Sequence, residues 1–228
     1  MCGRFTLRRP QRIDPGLLGV EELPPLDPRF NIAPGEDILL VRARRGAREA
    51  SLAHWGLIPS WANDPSIGNR MANARGDSLE EKASFRKAWH VRRGLVIADG
   101  FYEWRSIPGV KRRQPYFVRM ADDSPFAFGA LWEVWRARRP DAEWVVSCSL
   151  ITTEPNALLA DIHDRMPVIV PPADWPRWLG ETGGDRPPVD LLRPSDPDAM
   201  VAWPVSTRVN TTANDDEDCI APLASAGA

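Results

Sequence analysis

Apolar positions in this chain come in short runs, and only one stretch holds a helical period for more than two turns. Ile38-Leu39-Leu40-Val41 and Leu95-Val96-Ile97-Ala98 are continuous, branched and apolar, the pattern of buried strands. Residues 115–120 and 126–135 are predicted as two more strands, with Asp122-Asp123-Ser124 as the turn between them. Residues 144–151 are the clearest strand, 168–170 form another, and 201–209 are a last candidate. Helix signals are fewer. Residues 10–28, rich in Pro and Leu, predict a short helix and then an extended connection. Ser78-Leu79-Glu80-Glu81 has the form of a capping box and predicts a helix to about residue 89, with Leu79, Ala83, Phe85 and Trp89 on its apolar stripe. Thr153 can cap a short helix whose first turn holds Pro155 and which residues 156–161 complete, and Trp175 and Trp178 anchor another. Strands interrupted by short helices, without βαβ regularity, predict an α+β fold. The expectation is one domain over residues 1–228, with a mixed, largely antiparallel β-sheet or barrel-like core flanked by short helices. Residues 2–210 would form this core, and 211–228 a mobile acidic tail.

Composition narrows the class. Hydrophobic residues at 43% and charged residues at 26% are ordinary globular values, and no run approaches the ~20 apolar residues of a membrane span. Arg8, Arg9, Gln11, Arg12 and Asp14 interrupt any signal-peptide core, so a soluble, cytoplasmic protein is expected. Cys2, Cys148 and Cys219 show no CxxC spacing and His54, His90 and His163 are scattered, so neither a disulfide framework nor a metal site is predicted, and no cofactor. A net charge of −2 means that any nucleic-acid contact needs a local basic face. Three basic runs exist, at Arg42/Arg44/Arg45/Arg48, Arg86/Lys87/Arg92/Arg93 and Lys111/Arg112/Arg113, and two of the three are expected to be solvated turns.

The candidate chemistry begins at Met1-Cys2. If Met1 is removed, Cys2 carries a free α-amine two carbons from its thiol. The amine titrates near ~8 and a thiol near ~8.5, so neutral amine and some thiolate exist at neutral pH. The amine can attack an aldehyde to give a carbinolamine and then a Schiff base, and the thiol can close on that carbon as a thiazolidine. The same pair could instead serve an N-terminal nucleophile hydrolase, or Cys2 could be an idle buried residue. Glu103 lies among Phe101, Tyr102 and Trp104, and strand alternation puts Phe101 and Glu103 on one face and Tyr102 and Trp104 on the other. Buried there, its carboxyl would titrate high; at a strand edge it would simply face water. His163 falls between a predicted helix end and a strand start, where active-site residues gather, though it could equally be an ordinary packed histidine.

Six stretches together resemble the SOS-response-associated peptidase family, in order and over residues 1 to about 210: Met1-Cys2-Gly3-Arg4-Phe5, Arg29-Phe30-Asn31-Ile32-Ala33-Pro34, Trp55-Gly56-Leu57-Ile58-Pro59-Ser60-Trp61, Asn73-Ala74-Arg75, Ala98-Asp99-Gly100-Phe101-Tyr102-Glu103-Trp104 and Ile162-His163-Asp164-Arg165-Met166-Pro167. The resemblance implies a bacterial-type, nucleoid-associated monomer that binds single-stranded DNA at an abasic site. It would cross-link Cys2 to the deoxyribose aldehyde as a thiazolidine, a stable adduct that suppresses lyase-like bond breakage. The resemblance further implies that Asn73 orients the Cys2 amine or the sugar, that Arg4 and Arg75 hold phosphates, and that Glu103 and His163 move protons. Gly94, Asp77 and Phe30 depart from the residues common in the family at those positions. The alternatives are a thiol peptidase or amidohydrolase with Cys2 as nucleophile, and a non-catalytic single-strand DNA-binding module that needs no terminal cysteine.

Overall fold

The computed structural model describes residues 2–184 and 186–223. Among these the strands are β1 (Phe5–Leu7), β2 (Arg29–Ile32), β3 (Asp37–Arg44), β4 (Ala47–Trp55), β5 (Asn73–Arg75), β6 (Arg93–Ala98), β7 (Gly100–Arg105), β8 (Gln114–Met120), β9 (Phe126–Arg136), β10 (Trp144–Thr153), β11 (Met166–Pro167) and β12 (Met200–Pro204). The helices are α1 (Pro15–Leu18), α2 (Ala83–Val91) and α3 (Trp175–Leu179).

The two apolar runs at 38–41 and 95–98 lie side by side as β3 and β6 in a closed barrel. β4 pairs β3, β3 pairs β6, β6 pairs β9, β9 pairs β10, and β10 returns in parallel to β4. Closure leaves these five strands without a free edge, and the fold is α+β as the sequence predicts. The turn from β3 to β4 needs positive φ at two consecutive residues, and Arg45 (φ 54) and Gly46 (φ 83) supply it. β10 outlasts β4, and its C-terminal half takes β5 in parallel and β11 antiparallel.

The second sheet has the order β12-β8-β7-β1-β2 and is antiparallel throughout. The chain passes from barrel to second sheet at Asp99-Gly100, so this dipeptide is a crossing and not a hairpin turn. Asp99 anchors the crossing: its carboxylate accepts from Thr6 Oγ1 (2.7 Å), Arg8 N (2.7 Å), Arg8 Nε (3.1 Å) and Arg9 N (3.1 Å). Gly100 is required by space, because a Cβ there would come within 2.3 Å of Phe117 and 2.8 Å of Thr6 Oγ1. Residues 122–124 likewise turn the chain from β8 in one sheet to β9 in the other. One apolar core spans both sheets, with Phe5, Trp55, Phe101, Phe126 and Phe128 in edge-to-face contacts at its centre.

Three local expectations change. Helix α2 starts at Ala83, five residues past Ser78, because the Ser78 hydroxyl donates back to the Arg75 carbonyl instead of capping forward, and residues 76–78 close a separate turn. Residues 156–161 form a turn closed by Asn156 itself, whose Oδ1 accepts from Leu159 N at 3.0 Å. Strand β12 ends at Pro204, and the chain after it folds back: Asp215 accepts from Asn31 N at 2.7 Å, Asp216 pairs with Arg208, and Cys219 is fully buried. Residues 211–223 are therefore packed and do not trail as a mobile tail, while 224–228, with Met1 and Asp185, lie outside the described residues.

Candidate active site

Cys2 lies three residues before β1 and is fully buried. From one side Asn73 of β5 donates its Nδ2 to the Cys2 carbonyl at 2.8 Å. From the other, the Arg4 carbonyl accepts from Tyr102 N (3.0 Å), which ties the N-terminal segment to β7 one residue before Glu103. Glu103 is 1% exposed, and its Oε2 lies 3.9 Å from Nε2 of His163, on the loop that enters β11. The structure thus brings together Cys2, Asn73, Glu103 and His163 from four separate segments.

Burial sets the protonation of this group. It pushes the Cys2 thiol well above its ordinary range, with the charge of Glu103 adding to the effect, so the resting group is a thiol and not the partial thiolate expected from a free cysteine. Burial also raises the Glu103 carboxyl to about 7, with Asp164 acting in the same direction. His163 is held below its usual value, again mainly by burial. Its Nδ1 can accept the Arg165 backbone N–H at 3.0 Å or, in the other tautomer, donate to the Arg165 carbonyl at 3.3 Å; Nε2 is the nitrogen facing Glu103. Asp164 Oδ1 also lies 3.0 Å from Nδ1, a contact that is attractive whenever Nδ1 carries a proton. Oδ1 of Asn73 is buried and has no hydrogen-bond partner among the described residues, so it is a spare acceptor beside Cys2.

The two arginines expected to grip phosphates have different surroundings. Arg75 is exposed and paired with Asp77, while Asp77 also holds Arg165 Nη1 at 3.2 Å, so one carboxylate carries two guanidiniums beside the His163 loop. Arg165 was visible in the sequence only as a neighbour of His163; its nearness to Arg75 is a tertiary fact. Arg4 is instead half-buried and donates to Asn31 Oδ1 (2.9 Å), the Val209 carbonyl (2.7 Å) and the Asn210 carbonyl (3.4 Å). Among the basic runs, Arg42 stacks on Trp132 and pairs with Glu49, and Arg93 is buried against the carbonyls of Trp178, Trp89 and His90. Lys111, Arg112 and Arg113 are exposed, and the charge of Arg113 is felt at His163. Among the described residues no group of three or more His, Cys, Asp or Glu could hold a metal ion, and no helix is long and apolar enough to cross a membrane.

The profile of the family described as "SOS response associated peptidase (SRAP)" matches residues 1–212. The chain belongs to the SRAP family. Its relatives include the abasic site processing protein YoqW of Bacillus subtilis, 37% identical over 96% of this chain and 99% of that one. The abasic site processing protein YedK of Escherichia coli is 29% identical over 98% of this chain and 100% of its own length. A crystal structure of a Bacteroides thetaiotaomicron protein shares the fold, with a TM-score of 0.78 at 24% identity over 87% of each chain. In this SRAP chain the site offers a buried acid that titrates near neutrality, a neutral imidazole, a spare amide acceptor and a thiol that needs a base before it can react.

Proposed function

We propose that this SRAP protein binds single-stranded DNA at an abasic site and, once Met1 is removed, links itself to the ring-opened sugar through a thiazolidine at Cys2. The observation that carries the reading is the convergence of Cys2, Asn73, Glu103 and His163, with Glu103 poised at about 7. The shared name of the relatives, abasic site processing protein, supports the substrate. His163, through its Nε2–H, assists opening of the closed sugar. The Cys2 amine then adds to the aldehyde carbon, and Asn73 Oδ1 accepts a hydrogen bond from that amine or from a sugar hydroxyl. Protonated Glu103 donates to the carbinolamine hydroxyl, which leaves as water, and an iminium and a Glu103 carboxylate remain. The thiol adds to the iminium carbon, and its proton passes to that carboxylate. Carbon–sulfur bond formation thus regenerates the acid, and the high thiol pKa is no obstacle because the base appears at the step that needs it. Arg75 and Arg165 offer guanidiniums for flanking phosphates by charge-assisted hydrogen bonds. Arg4 could add to that grip only by giving up bonds it already makes.

A thiol hydrolase is favoured less: burial and Glu103 hold the thiol protonated, so attack on an amide would first need a base to take its proton, and the relatives are named for abasic sites. The two readings part in one experiment. The protein is mixed with a single strand carrying one abasic site and run on a denaturing gel, after an intact mass has established that Met1 is absent. A heat-stable shifted band that disappears in Cys2→Ala is expected; its absence from the wild type would falsify the cross-linking reading.

A further inference from the structure

The segment after β12 packs Val205, Val209 and Cys219 against Tyr102 and Phe117, and the polar contacts of residues 207–215 centre on one fully buried side chain. Asn31, in β2, donates through Nδ2 to the carbonyls of Val209 (3.1 Å), Thr211 (3.1 Å) and Asn214 (2.7 Å), while its Oδ1 accepts from Arg4 Nη1 at 2.9 Å. Asp215 closes the same loop, accepting from Asn31 N at 2.7 Å and pairing with Arg29. Arg4 is shared by this loop and the active site. Its guanidinium reaches Val209 and Asn210, and its carbonyl is held by Tyr102 beside Glu103. Cys2 stands two residues upstream, so the nucleophile's main chain has two anchors, Asn73 at its own carbonyl and Arg4 on the far side of Gly3. Two of the three guanidinium bonds, those to Val209 and Asn210, need residues 207–215 closed, and Asn31 holds that segment at three carbonyls.

We infer that Asn31 is a positioning residue: it closes residues 207–215 as a latch over Arg4 and so holds Cys2 in place between Asn73 and Glu103. Its effect on cross-linking rests on the function proposed above, but its effect on Cys2 burial does not. Asn31→Asp is the informative change. It is nearly isosteric and keeps an acceptor for Arg4, but it turns two N–H donors into an oxygen facing three carbonyl oxygens.

The test is alkylation of each cysteine by iodoacetamide, read by peptide mass spectrometry, beside single-turnover cross-linking to an abasic single strand. All three cysteines are buried, and they report separately: Cys2 on the site, Cys219 on the segment behind the latch, and Cys148 in β10 on the barrel. In Asn31→Asp, Cys2 and Cys219 are expected to alkylate about 10-fold faster or more while Cys148 is unchanged, as local opening requires. The cross-linking rate at saturating DNA falls by about the same factor, with the half-saturating DNA concentration unchanged. Wild-type alkylation of Cys2 in the variant, or parallel acceleration at all three cysteines, overturns the latch. Selective exposure of Cys2 in a protein whose wild type forms no cross-link supports the latch and overturns the proposed function instead.

Discussion

Glu103 keeps its proton near neutral pH because water is excluded from it. A glutamate ordinarily titrates at 4.5, but at 1% exposure it is raised to about 7. Cross-linking should therefore have a bell-shaped pH profile. The acid limb reports the amine, which must be neutral to attack and titrates near ~8 when free; the alkaline limb is the loss of the Glu103 proton above about 7. Glu103→Gln is expected to slow formation of the adduct by roughly 10²-fold and to remove the alkaline limb, measured by quenched gel time courses from pH 5 to 9. His163 substitution should instead slow ring opening and reversal, and equal losses at every step in both variants would refute that division of roles. The same carboxyl sets a stability signature. Its folded pKa is above its unfolded value, so the native state binds more protons between 4.5 and about 7, and stability falls as pH rises through that window. Glu103→Gln should abolish this slope and raise unfolding stability at pH 8 by something on the order of 3 kcal/mol, visible in urea melts at pH 5 and pH 8.

Between elements, the passage from β6 to β7 places Glu103. Asp99 gathers N–H and O–H donors from β1 and from the residues just after it, and Gly100 lets Phe117 close over the crossing. Gly100→Ala has no room for its Cβ and should destabilise the fold by about 1–3 kcal/mol, with a matching fall in the thermal midpoint. Asp-Gly is by itself a turn or bulge signal, and nothing local separates a hairpin turn from a step between sheets. The misplaced helix start at Ser78 has a related cause. The S-x-x-E spacing was present, but the hydroxyl found a nearer acceptor in Arg75, and burial of Phe85, Ala88 and Trp89 put the helix five residues later. Propensity named the elements well and their partners poorly.

Across the whole molecule, a net charge of −2 leaves the proposed DNA binding to a local face, to which the proposal assigns Arg75 and Arg165 around Asp77. Arg75→Ala should weaken binding to an intact single strand and lower the slope of log affinity against log salt by about 0.7, the value for one single-strand phosphate contact. Fluorescence anisotropy across a salt series checks this, and an unchanged slope would take Arg75 out of the interface. The tryptophans bear on the same question. Trp55, Trp89, Trp135, Trp175 and Trp178 are buried in the core, whereas Trp61 and Trp144 are exposed. Most of the aromatic inventory is therefore packing and cannot stack on bases.

The sequence by itself determined the chemistry available: an amine and a thiol at Cys2, a glutamate among aromatics at 103, a histidine at 163, and strand-rich patterning that could only close as an α+β core. These follow from residue type and short-range periodicity, which local rules read directly. The tertiary structure alone decided which groups meet and in what state. Asn73 reaches Cys2 only because β5 pairs with the far half of β10, and Glu103 becomes a near-neutral acid only because two sheets exclude water from it. The family resemblance implies a phosphate grip at Arg4, but its bonds to Asn31 and to the segment after β12 are set by the fold alone. Hydrogen bonds between residues about 200 positions apart leave no mark in local pattern, because they are chosen by which surfaces the closed barrel and its neighbouring sheet leave to be covered.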